Sequence, residues 1–192
     1  VNCYYYQENS KNVEIKKTWK TEEYLSFSQD ISFYNVKKKS VNGKNYYPVG
    51  TVWRGSNNIF KSDSKDSYGP HKETILVSDI GTQPPTDFKL IRTTVDKGCE
   101  NCIPPENSFS IWRPIPPKNF CSLGDVIISK DVDPNNILQT LVVHESFCKF
   151  PINYGIKPVI TIKNKKKEYS IWKPTPPENH VFLGHVIQKG VE

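Results

Sequence analysis

Residues 110–127, Ser-Ile-Trp-Arg-Pro-Ile-Pro-Pro-Lys-Asn-Phe-Cys-Ser-Leu-Gly-Asp-Val-Ile, return as residues 170–187, Ser-Ile-Trp-Lys-Pro-Thr-Pro-Pro-Glu-Asn-His-Val-Phe-Leu-Gly-His-Val-Ile. The offset is a constant 60 residues without a gap, and most positions are identities. Shared composition does not produce such a match, so the chain contains a repeated structural unit. Each copy reads as a strand ending in Trp, a proline-rich bend, and a second strand that begins at Leu-Gly. Trp112 and Trp172 each carry roughly 200 Å² of mainly apolar surface and are expected to anchor a core. Pro114 and Pro117, like Pro174 and Pro177, recur at fixed places between the strands. That regularity makes them architectural bends rather than polyproline ligands for an aromatic groove. Gly124 and Gly184 are expected where a bulge or a close backbone approach excludes a side chain.

A fainter third copy lies upstream, in Ser32-Phe33-Tyr34 followed by Tyr47-Pro48-Val49-Gly50-Thr51-Val52, with an insert around Asn42-Gly43 between its halves. The repeat motifs thus occupy residues 32–60, 108–130 and 168–190 of a single all-β domain spanning 1–192. Short apolar or alternating runs bounded by Gly, Pro, Asn and Asp predict strands over 31–36, 46–53, 74–77, 88–93, 109–113, 124–129, 138–144, 147–152, 158–163, 169–173 and 182–188. Helical periodicity is nearly absent. Fifteen prolines against ten glycines argue the same way, since an interior proline costs a helix about 3 kcal/mol. Three such units around an axis would close a small all-β body.

The pattern S-[IV]-W-[RK]-P-x-P-P followed by x-L-G-x-V, preceded by Ile80-Gly81-Thr82 and Pro84-Pro85-Thr86-Asp87-Phe88-Lys89-Leu90-Ile91, resembles the vacuolar protein sorting-associated protein 62 family. The resemblance covers most of residues 30–190 with the third copy included. It implies a β-prism-like fold with pseudo-threefold internal repeats, a jacalin-like architecture shared with accessory domains of pore-forming proteins. It supplies no catalytic residue set, and the family's name implies membrane trafficking. The family's P-P-x-G-Y segment stands here as Pro116-Pro117-Lys118-Asn119-Phe120 and Pro176-Pro177-Glu178-Asn179-His180, so Asn replaces Gly. His185 likewise stands where the first copy has Asp125.

Lys plus Arg number 26 against 20 Asp plus Glu, a formal charge of +6. That is a mild excess rather than the dense basic field of a nucleic-acid binder, and no nucleic-acid partner is expected. No apolar run approaches the roughly 20 residues of a membrane-spanning helix. A chain with no Met and Val1 first is expected to be a mature form or an excised domain, so targeting signals give no guidance. The compartment stays open, with a secreted or membrane-associated setting slightly favoured over the cytoplasm. Five cysteines, an odd number, leave at least one without an intramolecular partner. Cys99, Cys102, Cys121 and Cys148 are the disulfide candidates in an oxidising compartment and free thiols in a reducing one.

Cys99-Glu100-Asn101-Cys102 lacks the second pair of ligands that a structural zinc needs, and it does not open a helix as a redox pair would. No nucleophile elbow and no phosphate-cradling glycine loop occurs. Neither a cofactor, a metal nor an enzymatic activity is expected. The lysine runs Lys37-Lys38-Lys39 and Lys165-Lys166-Lys167 fall in turn-like segments. They read either as solvated hairpin tips or as contacts to anionic lipid head groups, worth about 1 kcal/mol per lysine near such a surface. The sequence therefore points to a noncatalytic interaction module for a protein or an anionic membrane. The alternative is a lectin-like, carbohydrate-binding or pore-former accessory domain.

Overall fold

The computed structural model describes residues 3–7, 15–20, 26–27, 30–36, 38–56, 73–93, 109–129, 132–136, 138–158, 160–164 and 167–190. Seventeen strands run in chain order among them. The first unit contributes β1 (Cys3–Gln7), β2 (Ile15–Lys20), β3 (Ser26–Phe27), β4 (Asp30–Val36), β5 (Lys39–Val41), β6 (Lys44–Tyr47), β7 (Val52–Ser56) and β8 (Glu73–Ser78). The second contributes β9 (Thr82–Gln83), β10 (Asp87–Thr93), β11 (Phe109–Ile115), β12 (Phe120–Cys121), β13 (Val126–Ser129) and β14 (Val142–His144). The third contributes β15 (Ile160–Asn164), β16 (Lys167–Trp172) and β17 (Val186–Lys189).

Three antiparallel sheets are built alike, in the orders β2-β4-β7, β10-β11-β13 and β3-β15-β16-β17. Ser110 lies opposite Ile128, Ile111 opposite Ile127 and Trp112 opposite Val126. Ser170, Ile171 and Trp172 face Gln188, Ile187 and Val186 in the same register. Ser32, Phe33 and Tyr34 of the faint upstream copy face Arg54, Trp53 and Val52, the same pairing pattern. Even the irregularities repeat. The outer strand slips between Lys17 and Trp19 opposite Tyr34 and Phe33, and between Leu90 and Arg92 opposite Trp112 and Ile111. The fold is all-β, as the repeat predicts, and β-prism-like, as the resemblance implies.

The three glycines that follow the proline bends meet on the pseudo-threefold axis. A Cβ placed on Gly184 would lie 2.6 Å from the Gly124 Cα and 2.7 Å from the Leu123 carbonyl oxygen, and one on Gly124 would lie 2.8 Å from the Gly184 Cα. Gly50 is looser, its nearest neighbour being the Asp125 carbonyl oxygen at 3.5 Å. Around the axis the Thr51 N–H donates to the Asp125 carbonyl at 3.3 Å, and the Asp125 N–H to the His185 carbonyl at 3.2 Å. Side chains repeat the rotation: the Ile127 N–H donates to Thr51 Oγ1 at 2.7 Å, and the Ile187 N–H to Asp125 Oδ2 at 2.9 Å. The residues after Gly50 and Gly124 are therefore joints to the next unit, which accounts for the polar Asp125 at a buried position.

Alternation along β11 places Ile111 and Arg113 on one face and Ser110 and Trp112 on the other. The first face meets the neighbouring unit. Arg113 makes two bonds to Asp125, at 2.8 and 3.0 Å, and a third to the Ile187 carbonyl at 3.1 Å. Arg92 lies over the Tyr169 ring, 4.2 Å from its centroid. Phe109, Ile111 and Ile171 on this interior are essentially inaccessible. Trp112 and Trp172, expected to anchor the core, are instead only partly buried on the opposite face. Their indole N–H groups donate to Ser110 Oγ at 2.8 Å and Ser170 Oγ at 2.6 Å. An indole needs an acceptor when covered, and the residue two back on the same face supplies it. The Ser-x-Trp spacing is thereby explained, and the isoleucine between them does the filling.

Other differences from the expected strands have local causes. Pro48 and the axial turn split the run over 46–53 into β6 and β7, and β13 and β17 begin only after Gly124 and Gly184. Residues 147–152, read as a strand, form the end of a 3-10 turn (Glu145–Phe147) and an extended loop. Asn119 and Asn179 adopt φ of 65° and 60°, a left-handed conformation that glycine and then asparagine tolerate best. The replacement of Gly by Asn in these bends is thus neutral for the backbone. The Pro114 and Pro117 bend and the Pro174 and Pro177 bend share the same turn, with Phe120 N–H to the Pro117 carbonyl at 3.2 Å and His180 N–H to the Pro177 carbonyl at 3.1 Å.

Gly184→Ala forces backbone against backbone and is expected to cost about 3 kcal/mol, lowering Tm by roughly 6–12 °C. Gly50→Ala meets only ordinary contacts and should stay within about 1 kcal/mol of the parent; thermal melts of the two variants check the contrast. Asp125→Ala removes the Arg113 pair and orphans the Ile187 N–H, at about 2–4 kcal/mol. Asp125→Thr, copying Thr51, should recover about 1 kcal/mol of that by denaturant titration.

Candidate functional site

The sequence expectations divide three ways. Lys37, Lys165 and Lys166, with Cys99 and Cys102, lie outside the described residues, and of Lys167 only the backbone is described, at the start of β16. Lys38 is exposed and Lys39 partly buried beside the tight hairpin of β5 and β6, whose Asn42 and Gly43 have φ of 50° and 74°. The repeat anchors Trp112, Pro114, Pro117, Gly124, Trp172, Pro174, Pro177 and Gly184 occupy equivalent places in the second and third units.

Cys121 and Cys148, candidates for a disulfide, are free thiols. Cys121 lies opposite Val143 in the β12–β14 pair. Cys148 Sγ sits at the end of the adjoining turn, 3.6 Å from the His144 carbonyl and 3.8 Å from that of Val143. Burial, then the hydrogen bond and charge of the Cys121 thiol, then the Glu145 carboxylate push the Cys148 thiol up to about 12. No cluster of three or more His, Cys, Asp or Glu side chains capable of holding a metal occurs among the described residues.

The feature that sequence reasoning missed is the segment that follows. β14 ends in the turn Glu145–Phe147, where the Ser146 N–H donates to His144 Nδ1 at 3.3 Å and the Cys148 N–H to the Glu145 carbonyl at 2.9 Å. The chain is then pinned to the third unit. Ile152 N–H donates to the Thr175 carbonyl at 2.9 Å, Thr175 N–H to the Asn153 carbonyl at 2.8 Å, and Gly155 N–H to Asn153 Oδ1 at 3.0 Å. On this fixed backbone Phe150 is 94% exposed, Ile152 67% and Ile156 104%, with Phe147 and Tyr154 also exposed. Lys149 and Lys157 are exposed among them.

The second unit holds the matching segment, so the apolar display is not a demand of the fold. Thr86 N–H donates to the Ile115 carbonyl at 2.9 Å, as Ile152 does to Thr175 one unit later. Pro84 and Thr86 stand where Phe150 and Ile152 stand, and Phe88 is buried where Tyr154 is exposed. The alternation Phe150, Ile152, Tyr154 reads as one face of a half-buried strand in sequence, but these side chains are exposed. A comparison of residues 144–154 with 78–88 at an offset of 66 was the signal available.

No family model and no curated protein matches the sequence. Among solved structures, the crystal structure of GNIP1Aa from Chromobacterium piscinae is similar over 90% of this chain, with a TM-score of 0.61 and 20% identity. The match spans 31% of that chain. At this identity the likeness shows the fold, and it agrees with the all-β, β-prism-like class.

With its thiolate suppressed, Cys148 is expected to react with iodoacetamide at pH 8 two to three orders of magnitude more slowly than an ordinary thiol. Peptide mass spectrometry of the alkylated native protein measures this. The folded state holds that proton more tightly than the unfolded chain, so its stabilising contribution is complete below pH of about 9 and is lost as pH rises toward 12. Cys148→Ser should flatten that part of the stability profile.

Proposed function

We propose that this chain is a noncatalytic interaction module that contacts an anionic membrane through the segment 147–157. The exposure of Phe150 and Ile156 carries the reading: large apolar side chains held outward on a hydrogen-bonded backbone mark a docking surface. Interfacial burial of Phe150, Ile152 and Ile156 would supply about 1.5–3 kcal/mol each. Lys149 and Lys157 would each add about 1 kcal/mol against anionic head groups. Apolar wedges beside cations suit the head-group boundary of a bilayer better than a dry protein interface, whose centre is depleted in lysine. The lysine runs Lys37-Lys38-Lys39 and Lys165-Lys166-Lys167 belong to the same reading as a further source of positive field. So does the resemblance to the vacuolar protein sorting-associated protein 62 family, with its trafficking name.

Co-sedimentation with phosphatidylcholine vesicles, with and without phosphatidylserine, tests this. The parent should pellet with the anionic vesicles and release at high salt. Phe150→Ser with Ile156→Ser should weaken pelleting at least about 100-fold. Lys149→Ala with Lys157→Ala should weaken it about 30-fold and blunt the salt effect. Failure of the parent to pellet, or serine variants that pellet like the parent, would remove the membrane reading.

A further inference from the structure

One interior position is filled by an apolar residue in two units and by a cation in the other. Arg92 of β10 stands opposite Ile111, just past the slip in the outer strand. The same register position holds Trp19 opposite Phe33 in the first unit and Ile160 opposite Ile171 in the third. The fold therefore does not demand an arginine there. Arg92 is only 6% exposed, and Ile111 beside it is buried, as are Tyr169 and Ile171 of the third unit. Its guanidinium lies over the Tyr169 ring, yet among the described residues neither Nε nor Nη1 meets a hydrogen-bond acceptor. A ring face attracts a cation but offers its N–H groups no lone pair in the ordinary sense.

Arg113 on the neighbouring strand shows what a matched guanidinium looks like in the same interior. It bonds both oxygens of Asp125 and the Ile187 carbonyl of the third unit, and the Asp125 bonds hold it above its ordinary pKa. Arg92 behaves in the opposite way. Burial pushes it below the ordinary arginine value, and Tyr169 offsets this only in part. The side chain stays charged at neutral pH all the same. A buried charge without a counter-charge is costly, and buried N–H groups are as a rule paired.

We propose that Arg92 anchors an anion site at the junction of the second and third units, filled by a small oxyanion of the phosphate or carboxylate kind. The planar guanidinium presents its donors as a fork that suits two oxygens of one such group. The apolar surroundings of Ile111 and Tyr169 strengthen that pairing by lowering the local dielectric. Nearly complete cover restricts the ligand to a free small anion and excludes a lipid head group. The site lies on β10 and shares no residue with the membrane contact at 147–157.

Thermal melts in inorganic phosphate or acetate, at constant ionic strength set with sodium chloride, test this. The parent Tm should rise saturably, by about 5–10 °C once the anion is about 100-fold above its Kd. Arg92→Ile, which copies Ile160 of the third unit, should lose the saturable rise. Arg92→Lys keeps the charge but not the fork, and should bind the anion at least about 10-fold more weakly. Proton–nitrogen NMR of the parent needs no variant: the Arg92 Nε–H resonance should move with the titration, while that of Arg113, already bonded to Asp125, should not. Absence of a saturable rise with both anions would overturn the proposal. So would an equal rise in Arg92→Ile, which is the general effect of salts excluded from the protein surface. An Arg92 Nε–H resonance that ignores the titration would overturn it as well, by showing that the chain itself supplies the acceptor.

Discussion

The contact of Gly124 with Gly184, where no Cβ fits on either residue, is the constraint on which the architecture rests. Only backbones that approach this closely let the N–H and carbonyl groups beside the axis bond from one unit to the next. Those bonds satisfy polar groups that the axis would otherwise bury unpaired, at a penalty of about 1–3 kcal/mol each. The joints Thr51–Ile127 and Asp125–Ile187 then use side chains to do what the backbone cannot reach. Arg113 shows how tightly the joint is drawn. Its hydrogen bonds to Asp125 hold the guanidinium above its ordinary pKa even though burial opposes this.

Much of this frame was legible in the residues. The constant spacing between the two Ser-Ile-Trp segments required one register for both hairpins, and β11–β13 and β16–β17 share it. Ser32-Phe33-Tyr34 obeyed the same rule despite its different aromatic, because what is repeated is the pairing pattern. Less legible was depth. The size of Trp112 suggested a core, yet period-two alternation does not say which face is covered, and the interior went to Ile111. The two-residue strands β9 and β12 had no sequence signal because their pairing is dictated by the strands beside them. The segment 147–152 failed for a related reason: alternation of apolar residues specifies a strand only when a partner edge is present.

Function follows from where the units differ rather than from where they agree. The second and third units share a backbone through Thr86 and Ile152, but one presents Pro84 and Thr86 outward and the other Phe150 and Ile152. The repeat supplies one frame for both segments, and substitution of a few side chains gives one of them an exposed apolar face. The same comparison separates scaffold from site at the thiols. Cys148 fills the role of Thr82 in capping its turn, so its sulfur serves structure at neutral pH.

The joints after the axial glycines carry a final implication for assembly. Thr51 offers a neutral hydroxyl and Asp125 a carboxylate clamped by a guanidinium, so successive units are not interchangeable although their backbones are. A chain of near-identical hairpins risks docking them in the wrong cyclic order or trading one with a neighbouring molecule. Chemically distinct keys at these two junctions make a permuted arrangement leave a buried carboxylate or a backbone amide unmatched, so the order of the units is selected energetically as they dock.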